Sequence, residues 1–98
     1  MKQINLIYDD EFEDVDILLV PDTIAENVSE VQQEFNRWLM NPQNAERFSR
    51  EENGRQTLYI DTDEILWWLN HVKLTGEEKA SIVMQHTSYH PEYSSFEM

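Results

Sequence analysis

The chain has no cysteine and very little glycine or proline. Its 98 residues include no Cys, two Gly and three Pro. Without thiols it has no disulfide bond, no thiolate nucleophile and no thiolate metal ligand. Two glycines are too few for a glycine-rich loop that cradles phosphate groups, and no dinucleotide fingerprint or nucleophile elbow appears. A small chain without disulfides indicates a reducing compartment.

Positive charge is also scarce. Twenty Asp and Glu stand against seven Lys and Arg, which gives a net charge of −13. Residues 1–34 hold ten of the acids and one of the bases, so the negative potential is concentrated there. A field of this sign repels nucleic acid and anionic membranes and attracts basic proteins. We therefore expect a protein partner with a basic surface, and no direct binding to nucleic acid or membrane.

Long apolar runs are absent as well. No stretch approaches the roughly 18 apolar residues that indicate a membrane-spanning helix. The first residues, MKQINLIYDDEFED, contain no apolar segment of signal-peptide length, so we expect a cytoplasmic protein. Residues 1–98 are 40% apolar and too few for two domains, which predicts a single acidic folded domain.

Apolar periodicity predicts two strands at the start of the chain. Ile4, Leu6 and Tyr8 alternate with polar residues, a pattern typical of a strand with one buried face. The apolar segment 15–20 predicts a second strand, which Pro21 ends. The two strands are expected to form a hairpin, with the acidic residues between them at its tip.

The clearest helix signal follows this hairpin. Thr23 and Glu26 have capping-box spacing, which predicts a helix start, and the helix should end near Asn41-Pro42. One face of this helix is apolar, with Ile24, Val28, Val31, Phe35, Trp38 and Leu39. The Asn41-Pro42 pair is expected to cap a short second helix that carries Phe48 inward.

The next elements are predicted from a turn and a second capping box. Asn53-Gly54 is a turn signal, and residues 55–60, RQTLYI, follow it as a short strand. Asp61 and Glu64 have the spacing of a capping box, so a helix should begin there and run to about Lys73.

The carboxyl-terminal part allows two interpretations. A third capping-box pattern from Thr75 to Glu78 favours a helix over 76–86, whereas the β-branched content of residues 80–87 favours an edge strand. Residues after His90 are expected to lie along the surface. The predicted fold class is α+β in the order ββα-βα-α. It has a small antiparallel or mixed sheet of about three strands and two to three helices packed on one face.

Two adjacent tryptophans raise a question that bears on function. On a helical wheel Trp68 joins the core stripe of Ile65, Leu69 and Val72, whereas Trp67 falls on the opposite side near His71. One explanation is that the chain itself covers Trp67, with the helix after residue 75 or with the tail aromatics Tyr89, Tyr93 and Phe96. The other is that Trp67 anchors a partner, because tryptophan is enriched at interface centres.

Few residue patterns in the sequence support a catalytic or a metal-binding site. The acids of residues 9–16 lack the glycine of a calcium loop, so a solvated hairpin tip or a protein-facing patch is expected. His86 and His90 are four residues apart, but Pro91 interrupts the helix that a zinc pair would need. Asp61 and Glu64 already have a capping role. We expect no enzyme, no metal and no cofactor.

These patterns predict a non-enzymatic protein-binding or regulatory domain with an aromatic anchor and an acidic rim. The alternative is a nucleic-acid mimic, in which carboxylates on one helix, joined by the hairpin acids, imitate a row of phosphates and inhibit a DNA- or RNA-acting enzyme. A second copy of the same chain is an alternative partner. The candidate binding residues are Trp67, His71, Tyr89, Tyr93, Glu26, Glu30, Glu34, Asp10 and Asp14, of which Glu26, Glu30 and Glu34 form the mimicking row.

Overall fold

The computed structural model describes residues 1–9 and 11–98. Within these residues the chain forms six strands and four α-helices. In chain order the elements are β1 (Lys2–Ile7), β2 (Val15–Val20), α1 (Asp22–Ala25), α2 (Val28–Leu39), α3 (Pro42–Arg47), β3 (Ser49–Glu52), β4 (Arg55–Leu58), α4 (Thr62–Trp68), a π-helical turn (Leu69–Lys73), β5 (Ser81–Thr87) and β6 (Ser95–Glu97).

A four-stranded mixed sheet with the order β5-β2-β1-β6 organises the fold. β2 is antiparallel to both β1 and β5, and β6 runs parallel to β1. The α+β class and the mixed sheet are confirmed. The predicted strand number and order are wrong, because β5 and β6 join the main sheet and β3 and β4 form a separate two-stranded sheet. The prediction of two to three helices is also wrong, because the described residues form four α-helices.

Both faces of the central strands are buried. On one face Ile4, Leu6 and Leu18 pack with apolar residues of the helices, which confirms that the helices cover one side. The intervening positions Ile7 and Ile17 form a second cluster with Val15, and Tyr89 and Tyr93 pack against it. The residues that follow β5 therefore cover the second face of the sheet, which the alternating pattern of β1 had predicted to be polar.

Asn5 ties this covering segment to the sheet. Its side chain is fully buried. The amide donates to the backbone oxygen of His90 at 2.9 Å, and the amide oxygen accepts from the backbone N–H of His90 at 3.0 Å. A weaker bond reaches the backbone oxygen of Tyr93 at 3.3 Å. Asn5 thus satisfies backbone groups that its apolar surroundings would otherwise leave unpaired.

The predicted helix over 76–86 is wrong, and the alternative of an edge strand is right. β5 pairs with the free edge of β2, where Leu18 lies opposite Ile82. The β-branched residues of β5 suit an edge strand. Backbone hydrogen bonds to the edge of β2 stabilise this strand more than the capping pattern from Thr75 to Glu78 stabilises a helix. The prediction that the last residues lie on the surface is also wrong, because Phe96 in β6 is buried in the main core.

The capping box predicted at Thr23 does not form. Thr23 lies inside α1, whose amino-terminal cap is Pro21, and no side chain caps that helix. The predicted single helix is instead broken at Glu26 and Asn27, and α2 begins at Val28. Its predicted end near Asn41-Pro42 is confirmed. Asn41 then caps α3 by accepting from the backbone N–H of Gln43 at 3.0 Å, and the Phe48 side chain is buried as predicted.

The turn predicted at Asn53-Gly54 is confirmed. It joins β3 to β4, and both residues have positive φ angles of 52° and 77°. Positive φ at both central positions is the requirement of a type I′ hairpin turn. The strand predicted after the turn is β4, whereas its partner β3 was missed because its sequence, SREE, is polar and exposed.

The capping box at Asp61 and Glu64 is confirmed as the start of α4. The α-helix ends earlier than predicted and continues as the π-helical turn, in which the N–H of Leu74 donates to the oxygen of Leu69 at 2.8 Å. A π turn holds more residues than an α turn, so the apolar stripe changes phase. Val72, predicted to be a core residue, is therefore 37% exposed.

We predict that Asn5→Ala lowers the free energy of unfolding by about 1–3 kcal/mol, because the backbone groups of His90 lose buried partners. Urea denaturation followed by circular dichroism measures this loss. Gln3→Ala is the matched control, since Gln3 lies on the same face of the same strand and is half-buried. Equal losses in the two variants would contradict the role assigned to Asn5.

Candidate functional site

Trp67 is half-buried and makes contacts with three parts of its own chain. Its ring centroid lies 6.2 Å from that of Trp38 and 5.9 Å from that of Phe48. The His71 ring stacks on it at 5.0 Å, and the guanidinium carbon of Arg47 lies 4.1 Å from its centroid. Trp67 is therefore partly covered by α2, α3 and the π-helical turn. The sequence had predicted a cover by a helix after residue 75 or by the aromatic residues of the tail, and these contacts come from neither.

One side of Trp67 still borders an open groove of about 260 Å³. We call this the Trp67 groove; its lining residues are Arg47, Phe48, Asp63, Glu64 and Trp67. Asp63 is exposed, and Glu64 is half-buried and accepts from the backbone N–H of Asp61 as part of the capping box. The groove thus combines aromatic walls with two carboxylates.

A second opening lies on the other side of the α4 amino terminus. This cavity of about 330 Å³, which we call the acidic cavity, is lined by Tyr8, Asp14, Asp16, Ile60, Asp61, Thr62, Gln85 and His86. The sheet contributes its β1, β2 and β5 ends, and α4 contributes its first residues. No sequence pattern indicated that the hairpin acids and the second capping box would line one cavity.

Asp16 is buried in a hydrogen-bonded network, so it does not belong to a solvated hairpin tip. The Thr62 hydroxyl donates to one of its carboxylate oxygens, and the backbone N–H of His86 donates to the other at 3.1 Å. The Tyr8 hydroxyl lies 2.9 Å from that of Thr62. Burial raises the pKa of Tyr8 well above its ordinary value of 10, so its phenol stays neutral. The network links β1, β2, β5 and α4.

The first turn of α4 joins the two openings. Asp61 lines the acidic cavity, whereas Asp63 and Glu64 line the Trp67 groove. Together with Asp14 these residues make a surface that we call the acidic face: Asp14, Asp61, Asp63 and Glu64. Carboxylates are favoured in the first turn of a helix by its dipole, which explains part of this concentration.

Arg47 shares the Trp67 groove with two carboxylates of the acidic face, and the other Lys and Arg contacts that the structure shows lie elsewhere. Within the described residues, the Lys and Arg ion pairs are Lys2 with Glu26 at 3.0 Å and Lys73 with Glu34 at 2.6 Å. Arg47 and Arg50 lie over the rings of Trp67 and Tyr59, and Lys79 donates to the backbone oxygens of Asn70 and Leu74. In the part of the chain that the structure describes, no Lys or Arg is ion-paired with the acidic face.

The predicted binding residues do not form one surface. Trp67 and His71 are in contact, as the helical wheel suggested. Tyr89 and Tyr93 pack on the opposite face of the sheet, so they cannot extend an anchor built on Trp67. Asp14 lies at the acidic cavity, and the predicted residue Asp10 lies outside the described residues.

The three glutamates of the predicted phosphate row are also separated. Glu26 lies at the break between α1 and α2, whereas Glu30 and Glu34 lie on α2 and line a shared groove. Glu26 and Glu34 are the two that pair with lysines.

Two of the three histidines contact separate carboxylates. His86 Nδ1 lies 2.8 Å from Asp14 and His90 Nδ1 lies 3.1 Å from Glu92. Residues 1–9 and 11–98 contain no cluster of three or more histidines and carboxylates arranged to hold a metal ion.

Several residues of the candidate site were missed by sequence reasoning. Phe48 was predicted only as a core residue, and Arg47 and Asp63 were given no role. Asp61 was explained by capping, which is correct but incomplete, because Asp61 also lines the acidic cavity. The three acids within residues 61–64 could have marked the start of α4 as an acidic site.

Comparison with known proteins finds no matching family model, no similar curated protein and no similar solved structure. Among the described residues, no helix has the length and apolar character needed to cross a membrane. A functional assignment must therefore rest on the geometry and charge of the site.

We predict that the imidazole of His86 titrates above its ordinary pKa of 6.5, because it is hydrogen-bonded to the Asp14 carboxylate. The stabilisation from this pair is then complete below about pH 6.5 and is lost as the pH rises through the raised pKa. Asp14→Asn should bring the pKa of His86 down towards the ordinary value. Titration of the imidazole signals by NMR measures it.

Glu92→Gln is the matched control, because Glu92 pairs with His90 and not with His86. It should leave the titration of His86 unchanged. The same midpoint for His86 in the wild type and in Asp14→Asn would show that the pair does not form in solution.

Proposed function

We propose that this chain is a non-enzymatic binding protein that recognises a basic surface of another protein through the acidic face and the adjoining Trp67 groove. One observation supports the proposal most directly. The first turn of α4 sets Asp61, Asp63 and Glu64 between a cavity that contains Asp14 and a groove that contains Trp67.

The charge of the chain favours a basic partner. A net charge of −13 produces a long-range field that accelerates the approach of cations. Among the described residues, the acidic face is where carboxylates without a Lys or Arg ion pair adjoin an aromatic groove. Asp61 and Glu64 form the capping box of α4 and Asp14 pairs with His86, so these three carboxylates also serve the fold, whereas Asp63 is exposed beside the groove. The contribution of the acidic face to binding would be chiefly to the association rate and to partner selection.

The Trp67 groove supplies aromatic contact area, which charged side chains alone do not provide. Large aromatic side chains contribute most to binding when they lie at the centre of an interface and are shielded from water by a polar rim. Trp67 and Phe48 would be the centre, and Asp63 and Glu64 the rim. The contact of Trp67 with Trp38 and His71 holds the ring in place, which lowers the entropy cost of binding.

The mimicry alternative has weaker support. Two of its three glutamates, Glu26 and Glu34, are ion-paired with Lys2 and Lys73, which reduces the local negative charge. Glu26 also lies outside α2, so the three carboxylates do not follow a single helix face. A second copy of the chain is disfavoured as the partner by the repulsion between two highly acidic proteins.

We predict that a peptide of alternating arginine and serine binds the protein, and that the association rate falls as salt is raised. The double variant Asp14→Asn/Asp63→Asn should lower that rate several-fold, because the acidic face loses half of its four carboxylates. Stopped-flow fluorescence measures the rate, and a peptide with glutamate in place of arginine is the negative probe.

Glu30→Gln/Glu51→Gln is the matched control, since it removes the same net charge from exposed positions outside the acidic face. We expect a smaller effect in this variant. An equal loss in both variants would mean that the peptide senses only the total charge, and the assigned face would be wrong.

The mimicry alternative has its own test in the triple variant Glu26→Gln/Glu30→Gln/Glu34→Gln. We expect it to bind the arginine-serine peptide within about threefold of the affinity of a Glu46→Gln/Glu51→Gln/Glu77→Gln control, which removes the same charge from exposed positions outside the acidic face. Isothermal titration measures both. A tenfold greater loss in the α1–α2 variant would move the binding surface there and favour mimicry.

A further inference from the structure

We propose that the Trp67 groove receives an arginine side chain of the basic partner, and that Arg47 occupies this position in the unbound protein. The inference rests on the proposed function and adds the type of side chain and the place where it binds. It makes Arg47 an intramolecular competitor, which a partner arginine must displace.

The geometry around Trp67 already accommodates a guanidinium group. The guanidinium carbon of Arg47 lies 4.1 Å from the centroid of the Trp67 ring, which is the distance of a cation–π contact. Phe48 stands perpendicular to Trp67 at 5.9 Å and forms a second aromatic wall. Asp63 and Glu64 line the same groove and add negative charge where the cation sits.

Arg47 is placed so that it can leave at low cost. It is exposed and is the last residue of α3, so its side chain can turn into solvent without disturbing a buried group. Within residues 1–9 and 11–98 it forms no ion pair at bonding distance, so departure breaks chiefly the contact with Trp67. A cation near the end of a helix keeps a favourable interaction with the helix dipole after it moves.

The aromatic walls select arginine over lysine. A guanidinium is planar and weakly hydrated, and it stacks on an indole ring while its N–H groups remain free to reach carboxylates. A lysine ammonium is a compact, strongly hydrated point charge. Asp63 is well suited to receive those N–H groups, because it is exposed at the rim and lies beside Trp67 in the groove.

Arg47→Ala tests the inference by emptying the groove of its own cation. We expect it to tighten binding of the arginine-serine peptide about two- to fivefold beyond the effect of the charge change, the equivalent of one exposed cation–π contact. The matched control is Arg50→Ala, which removes the same charge from a side chain that lies over Tyr59. The measurement is the dissociation constant by isothermal titration on the full chain.

A second measurement uses the wild-type protein, and a lysine peptide then tests the selection of arginine. Peptide arginine side-chain protons should show nuclear Overhauser contacts with the Trp67 ring, and the Arg47 side-chain signals should shift towards those of a free arginine. A lysine-serine peptide of equal charge should bind more weakly to Arg47→Ala and gain less from that substitution.

The outcomes separate the inference from the function on which it rests. Equal gains in Arg47→Ala and Arg50→Ala, or peptide binding without contacts to Trp67, would overturn the inference while leaving recognition of a basic surface intact. Absence of binding by the wild type and by Arg47→Ala at low salt would overturn the proposed function, and the inference with it.

Discussion

Burial of β1 and β2 on both faces is the constraint on which the remaining structure depends. Alternate side chains of a strand point to opposite sides of a sheet, so two separate covers are required. The helices cover Ile4 and Leu18, and the segment after β5 covers Ile7 and Ile17. A register slip of one residue would exchange these two sets and would move Asn5 away from His90, so the pairing is strongly specified.

This arrangement also decides where a binding surface can form. The sheet separates Trp67 on the helix side from Tyr89 and Tyr93 on the other side, so the aromatic residues belong to two unrelated clusters. The end of the same sheet brings Asp14 near the first turn of α4. The acidic cavity therefore depends on the meeting of α4 with the end of the sheet, whereas the Trp67 groove lies between α4 and the end of α3.

Acidic residues serve two different purposes in this chain. Asp16 is buried and is satisfied by Thr62 and by a backbone N–H, and it joins the strands to α4. Asp63 is exposed and lines an aromatic groove together with the half-buried Glu64. The sequence does not distinguish buried from exposed acids, because a run of acids does not reveal which carboxylate points inward.

The sequence by itself determined the features that depend on near neighbours. The strands β1 and β2, the capping box at Asp61, the cap at Asn41 and the Asn53-Gly54 turn each involve groups within a few residues, and all were predicted. The burial of Trp68 follows from the same local geometry, whereas Trp67 is half-buried and packs against the same core cluster, so the predicted opposition of the two rings is wrong.

Only the tertiary structure decided what depends on distant partners. Local sequence favoured a helix at β5, but a strand formed there because β2 offered an unpaired edge. Val72 is not a core residue because α4 ends in a π turn. The cover of Trp67 by Phe48, and the meeting of Asp14 with Asp61, join residues that lie far apart in the chain. Packing between such residues depends on the shape of the whole core, which no local pattern encodes.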